Sequence, residues 1–87
     1  MEEIKYKVPN GKLLRINLKK EKEKIKEIEI HGDFFIHPEE KISEIEDSLK
    51  GIKSKDVKKT LEKLIQSEDI DIIGFSPKDL EKAIKGN

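Results

Sequence analysis

The residues of this chain that could do metal or acid–base chemistry are both of its histidines and a nearby aspartate, His31, Asp33 and His37. On one continuous strand these side chains would share a face, because every second residue points the same way, and imidazole groups and carboxylates are common metal ligands. The chain has no other histidine and no cysteine to complete such a site. Isolated histidine pairs are mostly surface or capping groups, so we favour the interpretation in which this chain alone binds no metal or other cofactor.

Motifs for nucleophilic catalysis and phosphate binding are also missing from the sequence. No serine lies in a Gly-x-Ser-x-Gly elbow, and the lack of cysteine excludes thiol catalysis and disulfides. The segment Asn10-Gly11-Lys12 is not a phosphate loop and is typical of a hairpin turn followed by a solvated lysine. The alternative is that Gly11 and Lys12 contact an anion held by a partner. We therefore assign no catalytic residue and expect no catalysis by the chain alone.

Two side chains allow a choice between a structural role and an interface role. Arg15, the one arginine of the sequence, is expected on the solvent face of a strand, where we favour a cross-strand pair with Glu27 or Glu29. The alternative is that Arg15 anchors a protein interface, where arginine is enriched. Phe35 is either a satellite core residue or an aromatic anchor for a partner.

Composition excludes several classes of partner. The 87 residues carry a formal net charge of +0, so no long-range field favours nucleic acid or an anionic membrane. Aromatic residues make up only 5% of the chain and do not interleave with a basic stripe, as single-stranded nucleic-acid binding would need. No apolar run is long enough to span a bilayer, and the acidic N-terminus does not resemble a signal peptide. We therefore expect a cytoplasmic protein.

Alternating apolar residues predict a sheet in the first part of the chain. The inward residues of three successive strands are Ile4, Tyr6 and Val8; Leu14, Ile16 and Leu18; and Ile28 and Ile30. If the third strand continues past Gly32, Phe34 and Ile36 remain on the buried side. A bulge at Gly32 would reverse that phase.

After His37, apolar residues recur at the spacing of helices and no longer alternate with polar ones. Pro38 is expected in the first turn of a first helix, and Ser54 is expected to cap a second. Ser76 is expected to begin a third helix, because a proline follows it directly and an acid lies three residues on. The apolar segment 70–75 is too short for periodicity to assign.

The predicted fold class is α+β. A three-stranded antiparallel meander occupies residues 1–37, and about three helices in residues 38–87 cover one face of it. No repeat, linker or shift in composition divides the sequence. We therefore predict a single domain over residues 1–87.

The order of these motifs resembles the lipoate–protein ligase accessory domain. Five segments carry the resemblance, namely 8–16, 25–30, 32–38, 45–51 and 74–80. The pattern Gly-Asp-Phe-Phe-x-x-Pro within 32–38 is the most specific of them. In many ligases this unit is the C-terminal domain, whereas in bipartite enzymes it is a separate small subunit, which an 87-residue chain beginning with Met1 resembles.

The resemblance implies a fold, a reaction and a partner. The implied fold is related to the sulfur-transfer and iron–sulfur (SufE/NifU-like) scaffolds, whose chemistry depends on cysteines that this chain lacks. The implied reaction joins ATP and lipoate into lipoyl-adenylate and then passes the lipoyl group to a lysine of an acceptor domain. Lipoate, ATP and Mg are expected in the large catalytic subunit. This chain is then a non-catalytic partner that is needed for lipoate activation and meets lipoyl acceptor domains only indirectly.

The resemblance also implies which positions lie near the partner or its ligand. The positions carried over in this way are Gly11, Lys12, Gly32, Asp33, Phe34, Phe35 and Pro38. Two further candidates near the partner come from the residues themselves, namely Arg15 as an interface anchor and His37 within the segment 32–38. The family loop often has two glycines before the lysine, and here the first is Asn10, which can also adopt positive φ. Two other hypotheses are a cysteine-free scaffold or interaction module of the sulfur-transfer fold, and a stand-alone enzyme that uses the two histidines and the aspartate.

Overall fold

The main sheet is a three-stranded antiparallel meander, which confirms the prediction. The computed structural model of the protein describes residues 2–9 and 12–86, and within them this sheet has the strand order β1–β2–β3. Its strands are β1 (Glu2–Lys7), β2 (Leu13–Glu21) and β3 (Lys24–Gly32). The turn predicted at Asn10 and Gly11 lies outside the described residues.

One face of this sheet forms half of the core, as the alternation predicts. Ile4, Ile16 and Ile30 are cross-strand neighbours, and all three are buried. Leu14 and Leu18 on β2 are buried beside them. Removing these side chains from water is the main source of stability that the sheet offers.

An irregularity in β3 brings a further isoleucine into the core. The pairing of β2 with β3 shifts between Lys19 and Lys20, which leaves Lys26 as an extra residue on β3. An extra residue reverses the side-chain phase beyond it. Ile25 is therefore buried, although it lies an odd number of residues from Ile28.

Three α-helices cover the buried face of the sheet, as predicted. They are α1 (Lys41–Leu49), α2 (Val57–Glu68) and α3 (Pro77–Lys85). Their buried residues are Ile45 and Leu49, Val57 and Leu61, and Leu80, Ala83 and Ile84. None of the helices in the described ranges is long and apolar enough to cross a membrane.

The predicted start of α3 is confirmed. The Ser76 hydroxyl accepts a hydrogen bond from the Asp79 N–H at 3.2 Å, and the Asp79 carboxylate accepts one from the Ser76 N–H at 2.9 Å. Pro77 occupies the first helical position. This reciprocal capping satisfies N–H groups that have no partner within the helix.

The predicted start of α1 is wrong. Pro38 follows His37 through a cis peptide bond and belongs to a turn, not to the helix. The Pro38 carbonyl accepts a hydrogen bond from the Lys41 N–H at 3.1 Å, and the Glu39 carbonyl accepts one from the Ile42 N–H at 3.3 Å. The helix begins only at Lys41 because the preceding residues belong to a strand and its exit turn.

The predicted cap of α2 is also wrong. Ser54 begins a short 3₁₀ turn (Ser54–Asp56) ahead of the helix, and its hydroxyl is buried without a hydrogen-bond partner among the described residues. The carboxylate of Glu81 on α3 instead accepts a hydrogen bond from the Lys58 N–H at 3.0 Å. A contact between two helices thus replaces the expected local cap.

A second, two-stranded antiparallel sheet joins distant parts of the chain. It consists of β4 (Phe35–His37) and β5 (Asp71–Ile73), so segment 70–75 contains a strand. The third strand does not continue past Gly32, although Ile36 is buried and Phe34 is half-buried, as a continuous strand would have them. The division into a sheet half and a helical half is incomplete, because β5 lies among the helices.

The outer edge of β3 is covered by α1 and the loop that follows it. The Ile30 N–H donates to the Glu46 carboxylate at 2.8 Å. Further along, the Ile25 N–H donates to the Ile52 carbonyl at 2.9 Å, and the Gly51 N–H donates to the Ile25 carbonyl at 2.7 Å. Covering an edge in this way prevents its pairing with another chain. The opposite edge of the sheet is β1.

Candidate functional site

A groove with a volume of about 740 Å³ lies between the main sheet, β4 and the start of α1. Its charged and imidazole lining groups are Arg15, His31, His37 and Glu39. Its remaining lining residues are Ile30, Gly32, Phe34, Phe35, Ile36 and Ile42. Aromatic and arginine side chains around an open groove are typical of protein interfaces.

The groove brings together five of the nine residues that the sequence places near a partner. These five are Arg15, Gly32, Phe34, Phe35 and His37. Asp33 is exposed and Pro38 half-buried in the same stretch of chain, whereas Lys12 is exposed directly before β2. Gly11 lies outside the described residues. That these positions meet a partner stays a prediction.

Gly32 sets the path of the chain into the groove. Its φ of +145° is one that L-residues rarely adopt, and a Cβ added there would lie 2.2 Å from the Leu13 carbonyl oxygen. The Asp33 N–H donates to that same carbonyl at 3.1 Å. The position therefore requires glycine for its conformation and for the close approach to β2.

A contact between Phe34 and Phe75 joins the stretch between β3 and β4 to the segment just before the Ser76 cap of α3. Their rings meet edge to face, with centroids 5.0 Å apart and an angle of 84° between the planes. Gly74 lies beneath this contact, where an added Cβ would come within 2.8 Å of the Phe34 Cβ. Phe34 is thus half-buried, packed against the core on one side and lining the groove on the other.

Phe35 and Ile73 form an exposed apolar pair on the small sheet. They are direct cross-strand neighbours, and they leave 73% and 66% of their surface exposed. The exposure of Phe35 excludes the satellite core alternative, and its role as an aromatic anchor stays a prediction. Ile73 is a candidate residue that the sequence motifs did not identify. Its signal was that Ile72 and Ile73 are adjacent, so that on a strand only one of the two can face the core.

The histidines and Asp33 do not lie together on one strand. His31 belongs to β3 and His37 to β4, where His37 is opposite Asp71, and the main-sheet strand ends at Gly32. Within the described ranges, no group of three or more His, Cys, Asp or Glu side chains is close enough to hold a metal ion. The shared face that motivated a metal site is therefore not present.

The favoured partner of Arg15 is wrong. In the register of β2 with β3, Glu29 lies opposite Asn17 and Glu27 lies opposite Lys19. Arg15 lies opposite His31 on one side and opposite Lys5 on the other. The guanidinium thus has basic groups as its direct neighbours, which leaves the interface alternative.

The comparison with known families assigns the chain to a family. Residues 3–84 match the family model of the bacterial lipoate protein ligase C-terminus. The chain belongs to this family. The match covers almost the whole chain, including every strand and helix that lines the groove, and it confirms the resemblance that the sequence motifs indicated.

Two relatives of this ligase C-terminus come from Thermoplasma acidophilum. A stretch of 39 residues is 46% identical to Lipoate-protein ligase A subunit 2, and it spans 45% of this chain and 42% of that protein. The chain thus spans less than half the length of this curated relative. A solved structure of an archaeal lipoylation system, a bi-partite lipoate protein ligase and its E2 lipoyl domain, contains a chain of the same fold. The TM-score is 0.80 at 28% identity, over 97% of this chain and 93% of that one.

Proposed function

We propose that this chain is the accessory subunit of a bipartite lipoate–protein ligase. The observation that carries the proposal is the family match over residues 3–84. The fold shared with a chain of a bi-partite ligase system, at a TM-score of 0.80, supports it. So does the composition of the groove, which is suited to a protein partner.

The proposed division of labour leaves the chemistry to the catalytic subunit. That subunit would hold lipoate, ATP and Mg, and would join lipoate to the nucleotide as lipoyl-adenylate with release of pyrophosphate. The lipoyl group would then pass to the lysine amine of an acceptor domain, with release of AMP. The present chain supplies a surface and no reacting group.

The exposed apolar pair explains how this surface could dock. Fully burying a side chain such as Phe35 or Ile73 is worth about 1.5–3 kcal/mol, and both side chains leave most of their surface exposed in the isolated chain. A partner that covers them would gain that free energy. Docking beside the adenylate site would order its loops and exclude water, which favours the reactive geometry.

Reconstitution tests the proposal. Lipoyl-adenylate formation is measured with the catalytic subunit alone, with this chain alone, and with both chains mixed. We expect adenylate only, or mainly, from the mixture, and no effect from a heat-unfolded sample of this chain. Equal rates with and without the folded chain would refute the proposed function, and so would adenylate made by this chain alone.

A further inference from the structure

The solvent face of the main sheet carries a row of basic residues, one from each strand. Lys5 on β1 lies opposite Arg15 on β2, and Arg15 lies opposite His31 on β3. All three side chains are exposed. The register therefore aligns two permanent positive charges and an imidazole across the full width of the sheet. We call Lys5, Arg15 and His31 the basic row.

The basic row has no acidic member and no internal partner. In the part of the chain that the structure describes, none of its three side chains makes a hydrogen bond or an ion pair. The next row of the same face is different, because Asn17 donates a hydrogen bond to Glu29 at 3.3 Å. Like charges placed directly opposite one another destabilise a sheet. An anion supplied from outside the chain would offset that repulsion.

The surroundings of the basic row favour a protein over a free anion. Leu13, two residues before Arg15 on β2, leaves 37% of its surface exposed, and Phe35 leaves 73%. Arg15 and His31 also line the groove beside Phe35. Phosphate sites are usually built from backbone N–H groups that converge on the ion, whereas the β2 amides here are engaged in the sheet ladder. Arginine next to exposed apolar groups is the composition of an interface centre.

We infer that the basic row binds a carboxylate-bearing segment of the ligase catalytic subunit, with Arg15 as its central contact. The planar guanidinium can hold an aspartate or glutamate through two parallel hydrogen bonds, which a lysine ammonium cannot do. Lys5 and His31 flank that contact from the neighbouring strands. This inference rests on the proposed function, since it names the chemistry by which the proposed partner is recognised.

The first test is the affinity of the two subunits, measured by calorimetry for the wild-type chain and three variants. We expect Arg15→Ala to raise the Kd by about 30-fold or more and Arg15→Lys to fall between Arg15→Ala and wild type. The matched control is Lys19→Ala on the same strand and face, opposite Glu27, and it should leave the Kd within about twofold. A thermal unfolding midpoint no lower than that of wild type shows that each variant is folded.

The second test is carbodiimide crosslinking, which joins a lysine amine to a carboxylate in direct contact. We expect Lys5 of the wild-type chain to couple to an aspartate or glutamate of the catalytic subunit. Lys19 should form no crosslink to that subunit. Titration of this chain alone with inorganic phosphate or AMP should give no saturable NMR shift at Arg15. Saturable binding there would replace the carboxylate with a phosphate and overturn the inference.

The outcomes separate this inference from the proposed function. If the wild-type chain stimulates adenylate formation and Arg15→Ala binds as tightly as wild type, the inference is wrong and the proposed function stands. If the wild-type chain neither binds the catalytic subunit nor changes adenylate formation, both are wrong. Only a loss of affinity in Arg15→Ala with Lys19→Ala unaffected, together with the Lys5 crosslink, supports both.

Discussion

The two sheets of this protein use their apolar side chains in opposite ways. In the main sheet, Ile16 and Leu14 are buried against the helices. In the small sheet, Phe35 and Ile73 face outward side by side. Burial stabilises the folded chain, whereas the exposed apolar pair contributes little to the fold and is the surface that we propose a partner covers. The main sheet thus holds the fold together, and the small sheet presents a surface.

The small sheet depends on the rest of the molecule for its position. Two strands alone are marginally stable in water, and this sheet pairs only three residues on each strand. The buried Ile36 and the edge-to-face contact between Phe34 and Phe75 fix it to the core. The surface therefore needs the core, but the core does not need the two exposed side chains.

The largest expected effect comes from a change in the main sheet. Ile16→Ala should lower the free energy of unfolding by about 2–5 kcal/mol, because a fully buried isoleucine leaves both lost burial and a cavity. Phe35→Ala, in the small sheet, should change it by about 0.5 kcal/mol or less. Urea unfolding monitored by circular dichroism measures both. If Phe35→Ala lowered the free energy of unfolding more than Ile16→Ala, the roles assigned to the two sheets would be wrong.

The next effect is expected where the main sheet passes into the small one. Gly32→Ala should cost roughly 1–3 kcal/mol in backbone strain alone, and the new Cβ would also collide with the Leu13 carbonyl. Gly51→Ala is the matched control, since Gly51 also has positive φ (+86°) but open space around an added Cβ. Urea unfolding should rank Gly32→Ala as the more destabilising change, and the reverse order would contradict the role given to the close approach.

A smaller effect on stability should distinguish Ser54 from Ser76, the two serines that the sequence predicts as helix caps. Ser76→Ala removes the hydroxyl that accepts a hydrogen bond from the Asp79 N–H and should cost about 1 kcal/mol, although the bond from the Ser76 N–H to the Asp79 carboxylate is kept. Ser54→Ala removes a hydroxyl with no hydrogen-bond partner in the described structure and should be neutral or slightly stabilising. Thermal unfolding of the two variants side by side checks this, and equal losses would show that Ser54 has a role the structure does not assign.

The smallest effect is the pH dependence of one surface ion pair. Lys41 Nζ lies 3.0 Å from Glu68 Oε1, and this hydrogen bond lowers the pKa of Glu68 below its ordinary value of 4.5. A depressed carboxyl pKa contributes stability above the unfolded-state pKa and loses it as the pH falls through the folded-state pKa. Glu68→Gln should therefore lower the unfolding midpoint slightly at pH 7.

The difference between Glu68→Gln and wild type should vanish once the pH is below both pKa values of the carboxyl. The same hydrogen bond raises the pKa of Lys41 above 10.5, so its contribution is complete below that value and is lost only as the pH rises through the folded-state pKa. Differential scanning calorimetry across the acid range measures the effect. If the difference in unfolding midpoint between wild type and Glu68→Gln grew as the pH fell, the direction given for the pKa of Glu68 would be wrong.

Local patterns predicted the elements that are stabilised by local signals. Alternation placed Leu14, Ile16 and Leu18 on the buried face, and the capping box at Ser76 began a helix as expected. Contacts between distant residues were not predictable in this way. Nothing around Phe35 or Ile73 in the sequence indicates that the two strands pair, since each is a short apolar segment whose partner lies far along the chain.

The neighbours of Arg15 were mispredicted because strand register was not known. Strands β2 and β3 are joined by a tight turn at Lys22 and Glu23, both of which have positive φ. If the pairing continued regularly from that turn, Arg15 would lie opposite Ile30. The extra residue Lys26 shifts the pairing by one, so that Arg15 lies opposite His31. A bulge inside a run of charged residues leaves no clear sequence signal, and the basic row follows from it.

The double variant Phe35→Ser/Ile73→Ser tests most directly the central claim that these two exposed side chains serve a partner and not the fold. We predict a free energy of unfolding within about 1 kcal/mol of wild type and a Kd for the ligase catalytic subunit raised by about 30-fold or more. Wild-type affinity in a chain that remains folded would contradict the claim.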